Sequence, residues 1–427
     1  MREMKDSGIE WVGQIPKGWE LRRAKTLFTQ RNSKGNGIEV LLSPTQKYGV
    51  VPQSQLEGVV QVKEDTDLQM FKTVHKGDFV ISLRSFQGGF EYSLYEGVCS
   101  PAYQVFYPTS PICDTYYRYL FKSQSFISKM NNLTVGIREG KNIQYVDFAN
   151  SQIPVPPLAE QERIAAFVDA ECAEIDAVLE KTRASIEEYK KLKQAVITQV
   201  VTKGVRGDRP MKDSGIEWIG DIPAEWNKDK VIRVFSVIGS GTTPKSSDEN
   251  LFDGNTPWIQ SGDINGENLF VTKNCVSNSA IESYSALRVY QAPYLVVAMY
   301  GASVGNLSLS MIDACVNQAC CVLKKPTINL KFSFYIFKAV QDYLARKAVG
   351  GGQPNISQET IKQLWLPIPS ADEQIEISNY LDEKCRSVDA LIAKKQQYLT
   401  EIENYKKSLI YEYVTGKKEV KTSVLAD

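Results

Sequence analysis

The chain has 427 residues, 43% hydrophobic and 23% charged, with 50 Lys and Arg against 50 Asp and Glu. That is enough for two ordinary domains plus connecting elements, and too apolar for a disordered chain. Zero net charge argues against a generic nucleic-acid coat but leaves room for a site-specific reader, since local patches meet phosphates.

Apolar stretches such as 292–298 are too short to cross a bilayer, and the charged N-terminus has no apolar core behind it, so no secretory signal is expected. Of the eight cysteines (Cys99, Cys113, Cys172, Cys275, Cys315, Cys320, Cys321 and Cys385) no two form a Cys-x-x-Cys pair. They read as free thiols of a reducing cytoplasm, without a structural zinc. His75 is the only histidine, either a lone general base or an exposed bystander.

In chain order, the first element is Met4-Lys5-Asp6-Ser7-Gly8-Ile9-Glu10-Trp11, running on to Pro16. Strand-like runs follow at 79–83 and 103–107, then a helical stretch at 116–130. Ile153-Pro154-Val155-Pro156 leads into the clearest element, a long helix. Ile164, Val168, Cys172, Ile175, Leu179, Thr182, Ile186, Tyr189, Val196 and Val200 fall at three- and four-residue steps, with long polar Lys193 filling one slot. No Gly or Pro interrupts 159–203, so the rod is about 65 Å long at ~1.5 Å per residue. Gly204 stands where a C-cap glycine belongs.

The pattern then starts again. Met211-Lys212-Asp213-Ser214-Gly215-Ile216-Glu217-Trp218, running to Pro223, repeats the first segment 207 residues on. Strand-like runs lie at 294–298 and 319–323. Leu366-Pro367-Ile368-Pro369 with Glu373-Gln374 repeats Ile153–Pro156 with Glu160-Gln161 at an offset of 213. A second rod follows with Ile377, Leu381, Cys385, Val388, Ile392, Leu399, Ile402, Leu409 and Tyr413 on its seam. Cys172 matches Cys385, a small buried filler in both rods. Thr182 matches Lys395, either a register-fixing polar pair or a snorkelling lysine. Trp11, Trp19, Trp218 and Trp226 recur at matching positions and are expected to pin each domain start into its core.

The protein therefore reads as one unit duplicated. The expected boundaries are 1–157 and 204–369 for two mixed α/β globular heads, 158–203 and 370–416 for two rods, and 417–427 for a polar, frayed tail. A lone apolar seam needs a partner. Connectivity favours the second rod packing back antiparallel on the first, giving two heads, a two-helix coiled-coil shaft and an approximate two-fold axis; the competing arrangement pairs each rod with an external helix.

No phosphate-binding loop, methyltransferase tetrad, dinucleotide fingerprint or nucleophile elbow occurs. The heads instead carry polar and aromatic residues in glycine-flanked loops. The first has Lys76, Arg84, Ser85, Gln87, Tyr103, Gln104, Arg138, Lys141 and Asn142. The second has Thr242, Thr243, Lys245, Gln260, Ser261, Tyr300, Ser303, Asn317, Gln318, Gln353 and Asn355. Arg pairs with guanine O6/N7, and Asn or Gln with adenine N6/N7, while glycine lets backbone approach phosphate. Such loops are common in α/β proteins, so DNA, a protein or peptide on a two-headed scaffold, and an enzyme site near Arg84 or Lys245 remain open on residues alone.

Taken together, the repeated Lys-Asp-Ser-Gly-Ile-Glu-Trp segment and the stretch from Ile153 to Ile164 resemble the specificity-subunit (HsdS) family of type I restriction–modification enzymes. The 78–89 stretch resembles one kind of target recognition domain in that family, and Gly241-Thr242-Thr243-Pro244 with Pro257-Trp258-Ile259 resembles another. At 370–372 Ser-Ala-Asp replaces the Pro-Leu-Ala of 157–159, a departure that leaves Glu373-Gln374 intact. The resemblance implies a non-catalytic DNA reader with two target recognition domains and two spacer helices. It implies two modification subunits that carry S-adenosylmethionine and methylate adenine, with ATP- and Mg-dependent restriction subunits joining through them. No cofactor or metal is expected on this chain.

Overall fold

The computed structural model describes residues 2–35, 40–56, 68–82, 89–133, 143–349 and 354–421. The chain forms two compact units, Met1–Thr182 with Gln397–Asp427, and Arg183–Gln396.

In the first unit Met4–Asp6 pairs antiparallel with Gln14–Pro16. The turn between them is set by side chains: Asp6 Oδ1 accepts from Gly8 N at 3.0 Å and Ser7 Oγ from Ile9 N at 3.0 Å. Gly8 and Gly13 have φ of +65° and +68°, conformations that a Cβ would strain. Glu20–Arg23 then pairs with Gln152–Val155, closing the head next to the first rod. Between them lies an antiparallel sheet ordered Phe28–Arg31, Gln104–Pro108, Phe79–Ile81, Phe90–Tyr92. Phe28, Phe79, Phe90, Phe106, Phe121 and Phe148 are almost fully buried and pack mostly edge-on or tilted, with Phe79 stacked on Phe106, at 4.6–6.1 Å between centroids. Each such ring contributes about 1.5–3 kcal/mol by leaving water.

The helical stretch at 116–130 is two helices, Asp114–Lys122 and Gln124–Leu133. Ser123 breaks them. It sits in extended conformation and its hydroxyl donates to Leu120 O at 2.7 Å, ending the first helix by local competition for its carbonyls.

The second unit repeats the frame. Met211–Asp213 pairs with Asp221–Pro223, and Asn227–Lys230 with Trp365–Ile368. Its main sheet runs Phe235–Gly239, Cys320–Pro326, Tyr294–Ala298, Leu307–Ser310, the order seen in the first unit, with Asn268–Leu269 added at the edge. Two helices, Leu330–Ala339 and Gln341–Arg346, follow as in the first head. What is inserted between the frame strands differs. The first head has a hairpin, Leu42–Thr45 with Gly49–Pro52, and Lys72–Val74 antiparallel to Gly97–Cys99. The second has a sheet of Asn274–Val276, Thr256–Ile259 and Cys315–Val316, the last pair parallel, plus a helix at Asn278–Ser283.

The rods are the helices Leu158–Lys203 and Ala371–Val414. In the first unit Ile164, Val168, Cys172, Ile175 and Leu179 share a core with Leu409 and Val414, and Leu399 and Ile402 pack half-buried against it. Phe167 meets Tyr413 at 4.5 Å, and Asp176 takes Lys406 at 2.6 Å, so these segments run antiparallel. In the second unit Val200, Ile377, Leu381 and Cys385 share a core, with Val196 against it. Ile186 and Ile392 are buried and Val388 is half-buried. Lys193 takes Asp389 at 2.6 Å and Tyr189 lies under Lys395, again antiparallel. Shifted by 213 residues, Asp176 becomes Asp389 and Lys193 becomes Lys406, so each ion pair is the other with its partners exchanged.

Two expectations need revision. Thr182 donates to its own helix at Val178 O (2.8 Å), whereas Lys395 reaches across to the Tyr189 ring of the other rod. The tail is docked at its start: Lys417 Nζ donates to Val12 O at 2.6 Å and Val420 is buried in the first unit's core. The ammonium satisfies a carbonyl that the turn leaves open, and the valine gains apolar cover. Residues 422–427 lie outside the described ones.

Candidate nucleic-acid interface

Each head is fixed to its rod by the same set of contacts. Trp19 Nε1 donates to Glu160 Oε2 at 3.0 Å, and Trp226 Nε1 to Glu373 Oε2 at 2.8 Å. Arg2 pairs with Glu160 and stacks on Trp19; Arg209 pairs with Glu373 and stacks on Trp226. Gln161 accepts from Cys113 N and donates to Pro156 O, as Gln374 does with Asn329 N and Pro369 O. Tyr119 and Arg118 hold Asp169; Tyr335 and Lys331 hold Asp382, again 213 residues on. Glu160, Gln161, Glu373 and Gln374 sit in the first turns of the rods, where the helix dipole favours negative charge, while Asp169 and Asp382 lie about three turns in. Sequence offset points to them, but only the structure shows what they hold.

The polar loops of the second head gather at one end of its main sheet. In the second head Gly239 pairs with Val322 and Ala298 with Cys320, which places Thr242 and Thr243 beside Asn317 and Gln318. Thr243 Oγ1 donates to Gln318 Oε1 at 2.5 Å, and Ser240 Oγ to Gln318 O at 3.3 Å. Parallel pairing of Ile259 with Val316 brings Gln260 and Ser261 alongside, with Asn317 N bonded to Ile259 O at 2.9 Å. Tyr300 forms a bridge with Asn355, and Ser303 Oγ donates to Tyr300 O at 3.1 Å. Lys245 is exposed further along the same loop. Tyr300, Thr243, Gln318 and Asn355 are exposed, while Asn317 is buried and serves Ala319 N. Gln353 lies outside the described residues.

In the first head Tyr103 and Gln104 stand at the matching end. Gln104 is committed internally: its Nε2 donates to Gln144 Oε1 at 2.8 Å and its Oε1 accepts from Tyr145 N at 2.8 Å. Tyr103 is half-buried, with its carbonyl on Lys72. Lys76 is exposed but precedes Phe79, at the other end of the sheet. Arg84, Ser85, Gln87, Arg138, Lys141 and Asn142 lie outside the described residues. Asn274, which donates to Gln260 Oε1 at 2.7 Å, and Asp263 escaped the sequence reading. For Asp263 a signal existed, since Gln-Ser-Gly-Asp has capping-box spacing and the box forms.

His75 is exposed, and all eight cysteines are free. Burial pushes Cys99 and Cys321 up to about 12 and Cys315 up to about 11, far from thiolate chemistry at neutral pH. Among the described residues no His, Cys, Asp and Glu cluster fits a metal, and no helix is long and apolar enough to cross a membrane.

The model of the type I restriction modification DNA specificity domain matches twice, over residues 16–188 and 223–404. A putative type I restriction enzyme MjaX specificity subunit of Methanocaldococcus jannaschii is 23% identical over 96% of both chains. The EcoBI specificity subunit of Escherichia coli is 21% identical over 68% of this chain and 63% of its own. Among solved structures, a chain from work on complex assembly and conformational transition of the type I system superposes with a TM-score of 0.72, at 17% identity, covering 95% of this chain and 99% of the other. The HsdS subunit of Thermoanaerobacter tengcongensis gives 0.51 at 17% identity, over 95% and 98%. With its two domain matches, each spanning a head and much of the rod behind it, the chain belongs to the type I restriction–modification DNA specificity family, whose members are the non-catalytic, sequence-reading subunits of such systems.

Proposed function

We propose that each head reads one half of a split, asymmetric DNA site. The observation that carries this reading is one frame bearing two different inserts. A repeated frame suits two copies of one partner; different polar loops suit two different base sequences. The candidates for base or phosphate contact in the second head are Thr242, Thr243, Lys245, Gln260, Ser261, Tyr300, Ser303, Gln318 and Asn355, with Arg84, Ser85, Gln87, Arg138, Lys141 and Asn142 in the first.

The partners are two modification subunits carrying S-adenosylmethionine, with restriction subunits attached through them, all in the cytoplasm. Flipping and methylating the adenine belong to the modification subunits. The rods set the unread gap between the half-sites. Zero net charge fits a subunit whose partners supply most phosphate contacts. The isolated chain then binds DNA weakly and salt-sensitively, and tightly only in the complex.

Co-expression with the cognate modification subunit, followed by mapping of methylated adenines, tests the reading. A bipartite, asymmetric motif is expected; no motif refutes it. Inserting four residues in each rod lengthens it by about 6 Å and should widen the gap by one or two base pairs at ~3.4 Å each. An unchanged gap removes the ruler.

A further inference from the structure

A cavity of about 540 Å³ lies in the second unit between the head and the rods. It sits at the end of the main sheet that carries the polar loops. Leu307, which pairs with Val297, lines it, and so does Asn306, whose carbonyl accepts from Ala298 N at 2.8 Å. Asn306 also follows the Tyr300–Ser303 loop directly, with its N–H bonded to Ser303 O at 2.9 Å. Lys190 and Lys193 of the first rod face Lys338 of the Leu330–Ala339 helix across this space. Gln194 joins the two elements, donating to Lys338 O at 2.8 Å.

The lining holds donors that nothing takes up. Asn265 Oδ1 accepts from Glu267 N at 3.2 Å, and Asn306 Oδ1 from Gln341 Nε2 at 2.7 Å. Both amides thus use their oxygens within the protein, and their Nδ2 groups have no acceptor among the described residues. Lys193 is taken by Asp389, and Lys190 by Glu187. Lys338 is half-buried and lies over the Phe334 ring, with no ion-pair partner among the described residues. Glu267, the other carboxylate of the lining, is exposed to water and pairs with no lysine.

The first head neutralises the same position. Lys122, the equivalent of Lys338, reaches Glu91 at 2.6 Å, and where the first head has Glu91 the second has Ser308. A half-buried ammonium without a counter-charge is costly. Burial and neighbouring Lys193 accordingly pull Lys338 below the ordinary lysine range. An anion seated in the cavity would relieve both and give the idle amides an acceptor.

We propose that this cavity is a phosphate site, filled by one backbone phosphate of the duplex beside the second half-site and resting on the DNA-reading function proposed above. Lys338, Asn265 and Asn306 donate to the phosphate oxygens, and Lys190 and Lys193 add positive charge. Phosphate contacts fix register without reading sequence. Lys338 therefore sets affinity and leaves the choice of bases to the loops at the same end of the sheet.

The test uses the full complex with its modification subunits and duplexes carrying the mapped site, with one phosphate at a time replaced by an uncharged methylphosphonate. In the native complex one replacement beside the second half-site should weaken binding about tenfold. Lys338→Gln should weaken binding to a similar degree and lower the slope of log Kd against log salt by about 1, with the mapped motif unchanged. Lys338→Arg should keep most of the affinity. At the sensitive phosphate, methylphosphonate should have no further effect in Lys338→Gln. Additive effects at every position would overturn the site, as would a changed motif, which would make Lys338 a base reader. A second arm measures melting of the complex in inorganic phosphate without DNA. Stabilisation that Lys338→Gln abolishes, joined to additive effects on DNA, would assign the cavity to a free anion and overturn the duplex as its source. Absence of any sequence-dependent methylation by the native complex would remove the parent reading and the site together; a mapped motif with an indifferent Lys338 removes the site alone.

Discussion

Lys122 and Lys338 occupy the same place in the two heads, three residues after the tyrosine that holds the rod aspartate. Lys122 reaches Glu91 at 2.6 Å, a carboxylate buried in the sheet. At the matching strand position the second head has Ser308, which bonds Asn265, and Lys338 lies over the Phe334 ring instead. Burial and neighbouring Lys193 pull Lys338 below the ordinary lysine range. The lesson is that the duplicated frame is kept by contacts to the rods, while positions facing the inserts drift apart.

If the rod contacts are what the frame preserves, cutting them should have the largest effect. Glu373→Ala leaves Trp226 Nε1 without its acceptor and takes from Arg209 its buried carboxylate, and should cost about 3–5 kcal/mol, read by hydrogen exchange in the second head. Glu160→Ala should cost less, because the Glu160 side chain is 14% exposed against 3% for Glu373. Equal losses would mean that burial is not what separates them.

A smaller effect divides the heads by pH. Burial raises Glu91 from 4.5 to about 7. The folded first head therefore keeps a proton that the unfolded chain releases between those values. Its stability should fall as pH rises through that window, by up to about 3 kcal/mol. Glu91→Gln should flatten the slope, and the second head, with Ser308, should lack this contribution. Urea unfolding followed by head-specific exchange across the window checks it; a slope that survives Glu91→Gln assigns it elsewhere.

Gln318→Ala should relax discrimination at one base pair of the second half-site, by about 1–3 kcal/mol, and leave the first unread by the change. Methylation of randomised sites reads this directly; relaxation in both halves would break the one-head, one-half rule. The smallest effect is the sharpest test of symmetry. Double-mutant cycles on Asp176–Lys406 and Lys193–Asp389 should give similar couplings, about 0.2–1 kcal/mol each, since all four side chains remain partly in water.

The repeat was legible because its borders are rigid requirements. The Asp-Ser-Gly turn needs its side-chain acceptors and two positive φ values, and the rod seam needs an apolar residue every three or four positions. Strand order was not legible, because Phe79–Ile81 reaches Gln104–Pro108 through pairing that leaves no local mark. Gln104 looked like a base reader, and its amide turns out to be engaged by Gln144 and Tyr145. Composition cannot distinguish an amide that faces a ligand from one that ties two loops together.

The packing of Val414, Gly416 and Lys417 onto the first head has a consequence for how the protein is made. Tyr116 donates to Val414 O at 2.7 Å, across 298 residues of chain, and Gly416 fits so closely that a Cβ there would sit 2.5 Å from Pro16. During synthesis the lobe that emerges first stays unfinished until nearly everything after it has left the ribosome, whereas the later lobe has all its pieces in hand once residue 396 is out. The order of translation and the order of completion are thus reversed, and the early lobe is the one that waits with apolar surface uncovered.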